Sequence, residues 1–295
     1  MPKVTRSSTP PRRGRRGRGA PSRRAPALWW LLAALAAALV AVVGVATVQQ
    51  RQRQRASQSA AALSGRPVPQ DVARNLGAIP DATWNRIGAD SGGALKAVAA
   101  PGAGGAKPVV LYIGAEWCPY CAVLRWPLVA ALERFGTLTG LELSTSSTTD
   151  VFPATPTFTL VHARYQSPYL RLETVELEGN TQNAAGRYPP LQQPTASQEA
   201  LMRAQDPSGD IPFLLIGGAF MATGAPFSPE TLKGMDWQTI AAGLPGGTTA
   251  AAQAVVAAAN QFSAAICAVD GHQPARVCDS AGVRDAARTL PQPQK

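Results

Sequence analysis

The residues of this 295-residue chain best suited to chemistry are its four cysteines, Cys118, Cys121, Cys267 and Cys278. Cys118 and Cys121 lie in GAEWCPYC (114–121), after the apolar run VVLYI (109–113) and before AVLRWPLVAALERF (122–135). The C-x-x-C spacing lets two thiols close a small ring. A cysteine at the head of a helix faces unpaired backbone N–H groups and the positive end of the helix dipole, and both favour its thiolate. The thiolate is the attacking species in disulfide exchange. Cys118 is therefore the expected nucleophile, and Cys121, one turn inside, the thiol that resolves a mixed disulfide. Two other readings fit the same spacing: an inert bridge, or half of a zinc site completed by Cys267 and Cys278. The C-x10-C spacing of that second pair is wide for a zinc knuckle, and structural zinc pairs sit in turns rather than between a strand and a helix. The expectation is redox chemistry with no metal and no organic cofactor.

Cys267 and Cys278 bracket the turn-rich AVDGHQPARV. In an oxidising compartment they are expected to form a structural disulfide, worth roughly 2–3 kcal/mol through constraint of the unfolded chain. The alternative is a relay exchanging with Cys118 and Cys121, with His272 as a nearby base. His162 and His272 are the two histidines. That number excludes a multi-His metal site and argues against a Ser-His-Asp array.

These thiols need a scaffold, and the pattern supplies one. VVLYI reads as a strand buried on both faces. Residues 122–135 read as a helix with Leu124, Leu128, Ala131, Leu132 and Phe135 on one face, kinked by Pro127. LELST, TFTLV and LRLETVEL within 141–177 read as strands, 180–195 as a loop, and ASQEALMRAQ (196–205) as a short helix. GDIPFLLIGGAFMATG (209–224) reads as a hairpin. Ser228-Pro229-Glu230 opens a helix, and the Ala-rich 248–265 is a longer one. A helix is expected in 81–99, capped by Asp81, with Trp84, Ile87, Leu95 and Val98 apolar and an interruption at Gly92-Gly93; 101–108 reads as a loop. Strands mixed with helices indicate an α/β class.

Charge divides the chain. Residues 1–70 carry 13 basic and no acidic side chains; the other 225 carry 15 and 18. The basic character thus belongs to a tail, and no nucleic-acid partner is expected. Residues 1–26 read as a disordered basic tail. Ala27 to Val48 is a 22-residue uncharged run, long enough to cross a bilayer, with Trp29 and Trp30 at headgroup level. Nine basic groups precede it and Arg51, Arg53 and Arg55 follow it, which places the N-terminus in the cytoplasm and the remainder outside. A cleaved signal peptide ending near Ala46 competes with an uncleaved anchor; the length of the run favours the anchor. Residues 49–80 are expected to be a linker, 81–285 the extracytoplasmic domain and 286–295 a disordered tail.

VVLYIGAEWCPYCAVLRWPLVAAL resembles the active-site strand and helix of the thioredoxin superfamily, with Trp117 before the first cysteine and Pro127 in the helix. The Pro-Tyr insert is similar to that of glutaredoxin. The segments GAEWCPYCAVLRWPLVAALERFG, STSSTTDVFPATPTFTL, YQSPYLRLETVE, IPFLLIGG and ICAVDGHQPARVC resemble an uncharacterised family of membrane-anchored thioredoxin-like proteins of high-GC bacteria and archaea (domain of unknown function 929), over most of 107–280. The resemblance implies a thioredoxin-like fold, a central mixed sheet flanked by helices, behind a single transmembrane helix. It also implies a cis-proline facing the cysteines, at Thr155-Pro156 or, favoured, Ile211-Pro212; with Pro212, residues 144–208 contain an insertion. Substrate would then contact Trp117, Pro119, Tyr120, Pro212 and the backbone of Ile211, which pairs with a bound strand. Thioredoxin carries a buried acid in the strand before its cysteines. VVLYI has none, so Glu116 is the candidate to supply that role through water, or else a solvated surface glutamate. Arg125 could support a thiolate, although an exposed helix arginine is the default.

The expected function is a membrane-anchored, extracytoplasmic thiol–disulfide oxidoreductase that forms transient mixed disulfides with client proteins, with a redox partner possible in the membrane. A non-catalytic interaction module with a permanently oxidised pair, and a thiol-based metal-handling protein, are the alternatives.

Overall fold

The computed structural model describes residues 25–89, 95–99 and 107–292. The chain falls into two compact units, one through Gln52 and one from Arg53 onward. The basic tail expected at 1–26 lies outside the described residues up to position 24, as do Gly92-Gly93, most of the expected loop 101–108, and 293–295.

Helix α1, Ala25–Ala61, contains the uncharged run. Its stretch Trp29–Val48 has no buried residue and is long and apolar enough to cross a membrane, a property that a signal sequence shares. The helix continues well past Val48, because Gln, Arg, Ala and Ser after it contain no helix breaker before Gly65.

The second unit starts earlier than the expected boundary at 81. Residues 65–68 hydrogen-bond along 141–143, with Gly65 N donating to Leu143 O at 2.8 Å and Val68 N to Leu141 O at 3.2 Å. Helix α2, Gln70–Gly77, buries Val72 and Leu76, one turn apart on its inner face. The 49–80 linker is therefore corrected: two apolar residues at i and i+4 suffice to dock a short polar helix. Helix α3, Asp81–Ile87, follows Pro80; Asp81 is its first residue rather than its cap, and Gly88 (φ 64°) ends it. Leu95 and Val98 do not extend this helix. They flank strand β1, Lys96–Ala97.

Strand β2, Val109–Gly114, is buried throughout. Val110 and Tyr112 enter one apolar cluster, and Val109, Leu111 and Ile113 the other. Helix α4, Pro119–Leu132, follows. All of its residues except Tyr120 are buried, not one face as expected, and it continues as one element through Pro127. Strands β3 (Thr137–Thr139), β4 (Glu142–Thr145), β5 (Pro156–Thr159) and β6 (Arg164–Gln166) form two small antiparallel pairs, β3 with β6 and β4 with β5. Strand β7, Arg171–Glu176, returns to run parallel to β2, register Val109 to Arg171 through Gly114 to Glu176. Within residues 144–208, β7 is thus a strand of the central sheet.

Helix α5, Ala196–Gln205, is closed by a capping box between Thr195 and Gln198. Strands β8 (Phe213–Ile216) and β9 (Phe220–Thr223) form the expected hairpin. Its turn places Gly217 and Gly218 at φ 58° and 73°, where an L-residue is strained, and a Cβ on Gly217 would meet Val269 at 2.7 Å. The mixed sheet has the order β1-β9-β8-β2-β7, with only β2 and β7 parallel. Ser228 caps a 3-10 turn, Pro229–Leu232. Then come α6 (Trp237–Gly243), the buried α7 (Ala250–Val269), α8 (Ala275–Cys278) and α9 (Ala281–Thr289). Helix α9 occupies the start of the expected disordered tail and buries Ala286.

Candidate functional site

Cys118 is the N-cap of α4, with Pro119 as the first helical residue, where proline's fixed φ is already helical and its missing N–H has no partner to lose. The Sγ of Cys118 accepts the backbone N–H of Cys121 at 3.2 Å. Both cysteines are free thiols; Cys121 is fully buried and Cys118 is 3% exposed. The Ile211 carbonyl lies opposite, 4.0 Å from Cys118 Sγ. Ile211-Pro212 is a cis peptide and Thr155-Pro156 is not. Gln273-Pro274 is a second cis bond, which no sequence signal singles out.

The two thiols are electrostatically unequal. Hydrogen bonding from Cys121 holds the Cys118 thiol below the ordinary cysteine range; burial opposes this, and the Arg125 charge adds to the lowering. Burial, followed by the neighbouring Cys118, pushes the Cys121 thiol well up. Near neutrality Cys118 is thus the readier thiolate and Cys121 the proton carrier.

Behind them sits a buried polar cluster. Arg125, for which an exposed position is the default, is fully buried and bidentate to Glu176: Nε to Oε1 at 2.8 Å and Nη2 to Oε2 at 2.5 Å. Its Nη2 also donates to Ala115 O at 2.9 Å. Burial pushes the Glu176 carboxyl up, and the guanidinium opposes that shift. The Arg125 cation lies 5.5 Å from the Tyr112 ring centroid. Tyr112 Oη and Arg125 Nη1 are buried without a partner among the described residues. A Cβ on Gly114 would overlap Tyr112 Oη and stand 3.1 Å from Cys121 Sγ, so hydroxyl and thiol converge on one glycine. The buried acid of this site is consequently Glu176, not Glu116. Glu116 is only half-buried, and its charge contributes to raising Glu176. One signal for the cluster is legible in the chain: Arg125 is the sole charged residue of α4. Glu176 gives none, because its burial follows from pairing β7 against β2.

Trp117 is fixed by intramolecular contacts. Its Nε1 donates to Glu178 Oε2 at 2.7 Å, its ring stacks on Tyr188 (5.3 Å, 11°), and its carbonyl accepts from Ser147 N at 2.9 Å. Glu178, Tyr188 and Ser147 come from distant segments that sequence spacing does not connect. Tyr120, by contrast, is 42% exposed and packs edge-on against Phe152.

Cys267 and Cys278 are disulfide-bonded to each other, which leaves neither to complete a four-thiolate zinc set with the first pair. They belong to the main apolar cluster, whereas Cys118 and Cys121 form a small separate one with Ala115. His272 is exposed and bonds Asp279 at 2.8 Å; His162 is exposed and bonds Glu142.

The model of a family described as a domain of unknown function (DUF929) matches residues 95–188, a shorter stretch than the 107–280 over which the resemblance runs, and it includes the cysteine pair. No curated protein and no solved structure matches the chain.

Proposed function

We propose that this protein is a thiol–disulfide oxidoreductase of thioredoxin-like fold, anchored by residues 27–48 with its C-terminal domain outside the cytoplasm, and acting on client proteins. The observation that carries the reading is Cys118 Sγ at the head of α4, receiving the Cys121 N–H and facing the Ile211 carbonyl before cis-Pro212. A mixed sheet flanked by helices, with small strand pairs outside it, supports the fold implied by the resemblance.

The Cys118 thiolate attacks one sulfur of a client disulfide. The Cys118–client bond forms, the client S–S bond breaks, and the departing client sulfur takes up a proton. Cys121 then loses its proton and attacks Cys118 Sγ, closing the Cys118–Cys121 bridge and releasing the second client thiol. The client gains two electrons and two protons; the chain supplies both electrons and the Cys121 proton, and solvent, which took the Cys118 proton, returns the other. Run backwards, the same steps oxidise a client dithiol, and a redox partner in the membrane resets the pair. Arg125 stabilises both thiolates.

Cys121→Ser in the full chain should accumulate mixed disulfides with clients on non-reducing gels. No trapped client, together with a Cys118 that resists alkylation after strong reductant, would leave a non-catalytic module. Metal co-purifying with the thiols would favour metal handling.

A further inference from the structure

An open groove of about 570 Å³ lies beside the reacting sulfur, lined by Tyr120, Phe152, Ile211, Phe227, Pro229 and Asp210. It is continuous with the thiol site: Tyr120 is two residues past Cys118, and the Ile211 carbonyl faces Cys118 Sγ. Its size suits one or two bulky side chains. Among the described residues of the second unit, the large apolar side chains left exposed are Tyr120, Val151 and Leu191. Tyr120 lines the groove, and Val151 directly precedes Phe152.

The charge of the rim narrows the occupant. Asp210 is exposed, and among the described residues its carboxylate has no cation partner; its N–H is held by Asp206 Oδ2 at 2.7 Å, which fixes the backbone carrying it. Lys233, just past the turn that Pro229 opens, is already paired with Glu230. An unpaired carboxylate beside the rings of Tyr120, Phe152 and Phe227 offers a lysine or arginine both a counter-charge and aromatic faces for its cation.

We propose that this groove seats an extended client segment carrying a lysine or arginine close to its reacting cysteine, next to a large apolar residue. This rests on the exchange reading above. An acidic segment is disfavoured at the same rim by like charge.

The test uses full-length Cys121→Ser chain in detergent micelles and two peptides, alike except for Lys or Glu beside the cysteine, each activated as a thiopyridyl disulfide. Cys118 thiolate forms the peptide mixed disulfide and releases thiopyridone, which is followed by absorbance. The Lys peptide should react about three- to tenfold faster than the Glu peptide at low salt, the scale of a single exposed charge pair made attractive or repulsive. The difference should shrink at high salt. Asp210→Lys in the same background should invert the ratio, and a ratio taken within each protein cancels any change in thiol reactivity. A wild-type-groove ratio near one, or a ratio untouched by Asp210→Lys, overturns the proposal while leaving the exchange reading intact. If both peptides react more slowly than they do with free glutathione, both readings fall.

Discussion

Glu176→Leu isolates the buried ion pair behind the thiols. In the native protein Arg125 is bidentate to Glu176 and gives one further bond to Ala115 O, and both side chains have no exposure. Deleting the carboxylate strands a guanidinium in the interior with that single carbonyl as its partner. Breaking a buried pair in this way costs about 3–5 kcal/mol. For a domain of this size each kcal/mol lowers the melting temperature by roughly 2–4 °C, so the variant should melt about 6–20 °C below wild type. Arg125→Met combined with Glu176→Leu removes both charges and their desolvation penalty. It removes the Arg125 bond to Ala115 O, which keeps the Cys118 N–H at 3.3 Å, and deprives Leu160 N of its 3.4 Å contact with Glu176, a loss of about 1–3 kcal/mol. The double variant should therefore be more stable than the single one, by about 2 kcal/mol at the middle of the two ranges, and melt above it. Tryptophan fluorescence of the full chain follows the transition, because Trp126 and Trp237 are fully buried. The double variant should still show Cys118 alkylation shifted to higher pH, since the cation that helped its thiolate is gone. Glu176→Leu melting within about 2 °C of wild type, or a double variant no better than the single, would refute the argument.

In the wild-type chain, alkylation of Cys118 should rise at lower pH than for an ordinary thiol, while Cys121 stays unmodified until well above it; iodoacetamide labelling with peptide mass analysis checks both. Tyr112→Phe should leave the melting temperature unchanged or raise it slightly, because the deleted hydroxyl has no partner among the described residues; a loss of several degrees would show a bond that the geometry does not contain. Gly114→Ala should destabilise by about 1–3 kcal/mol, as the methyl is driven into Tyr112 and Cys121. Replacing Cys267 and Cys278 together by alanine should cost roughly 2–3 kcal/mol in stability without abolishing exchange at Cys118; loss of exchange in a folded variant would instead favour a relay.

The local scaffold of the site was legible in the sequence because it rests on neighbours in the chain. A C-x-x-C between an apolar strand and a helix, a Ser or Thr before a helix, and Gly-Gly between apolar runs each act within a few residues, and β2, α4, α5 and the β8–β9 hairpin follow from them. The uncharged run at 27–48 belongs to the same class. Where the polar groups of the site end up depends on elements far apart in sequence. Arg125 reads as a surface residue until β7 pairs with β2 and brings Glu176 against it, 51 positions away. Trp117 reads as a free aromatic until Glu178 and Tyr188 fold over it. The choice of Glu176 over Glu116 as the buried acid, and the meeting of Asp210 with Tyr120 across one groove, were decided only by the tertiary structure: burial and electrostatic coupling depend on distance in space, and spacing along the chain does not report that distance.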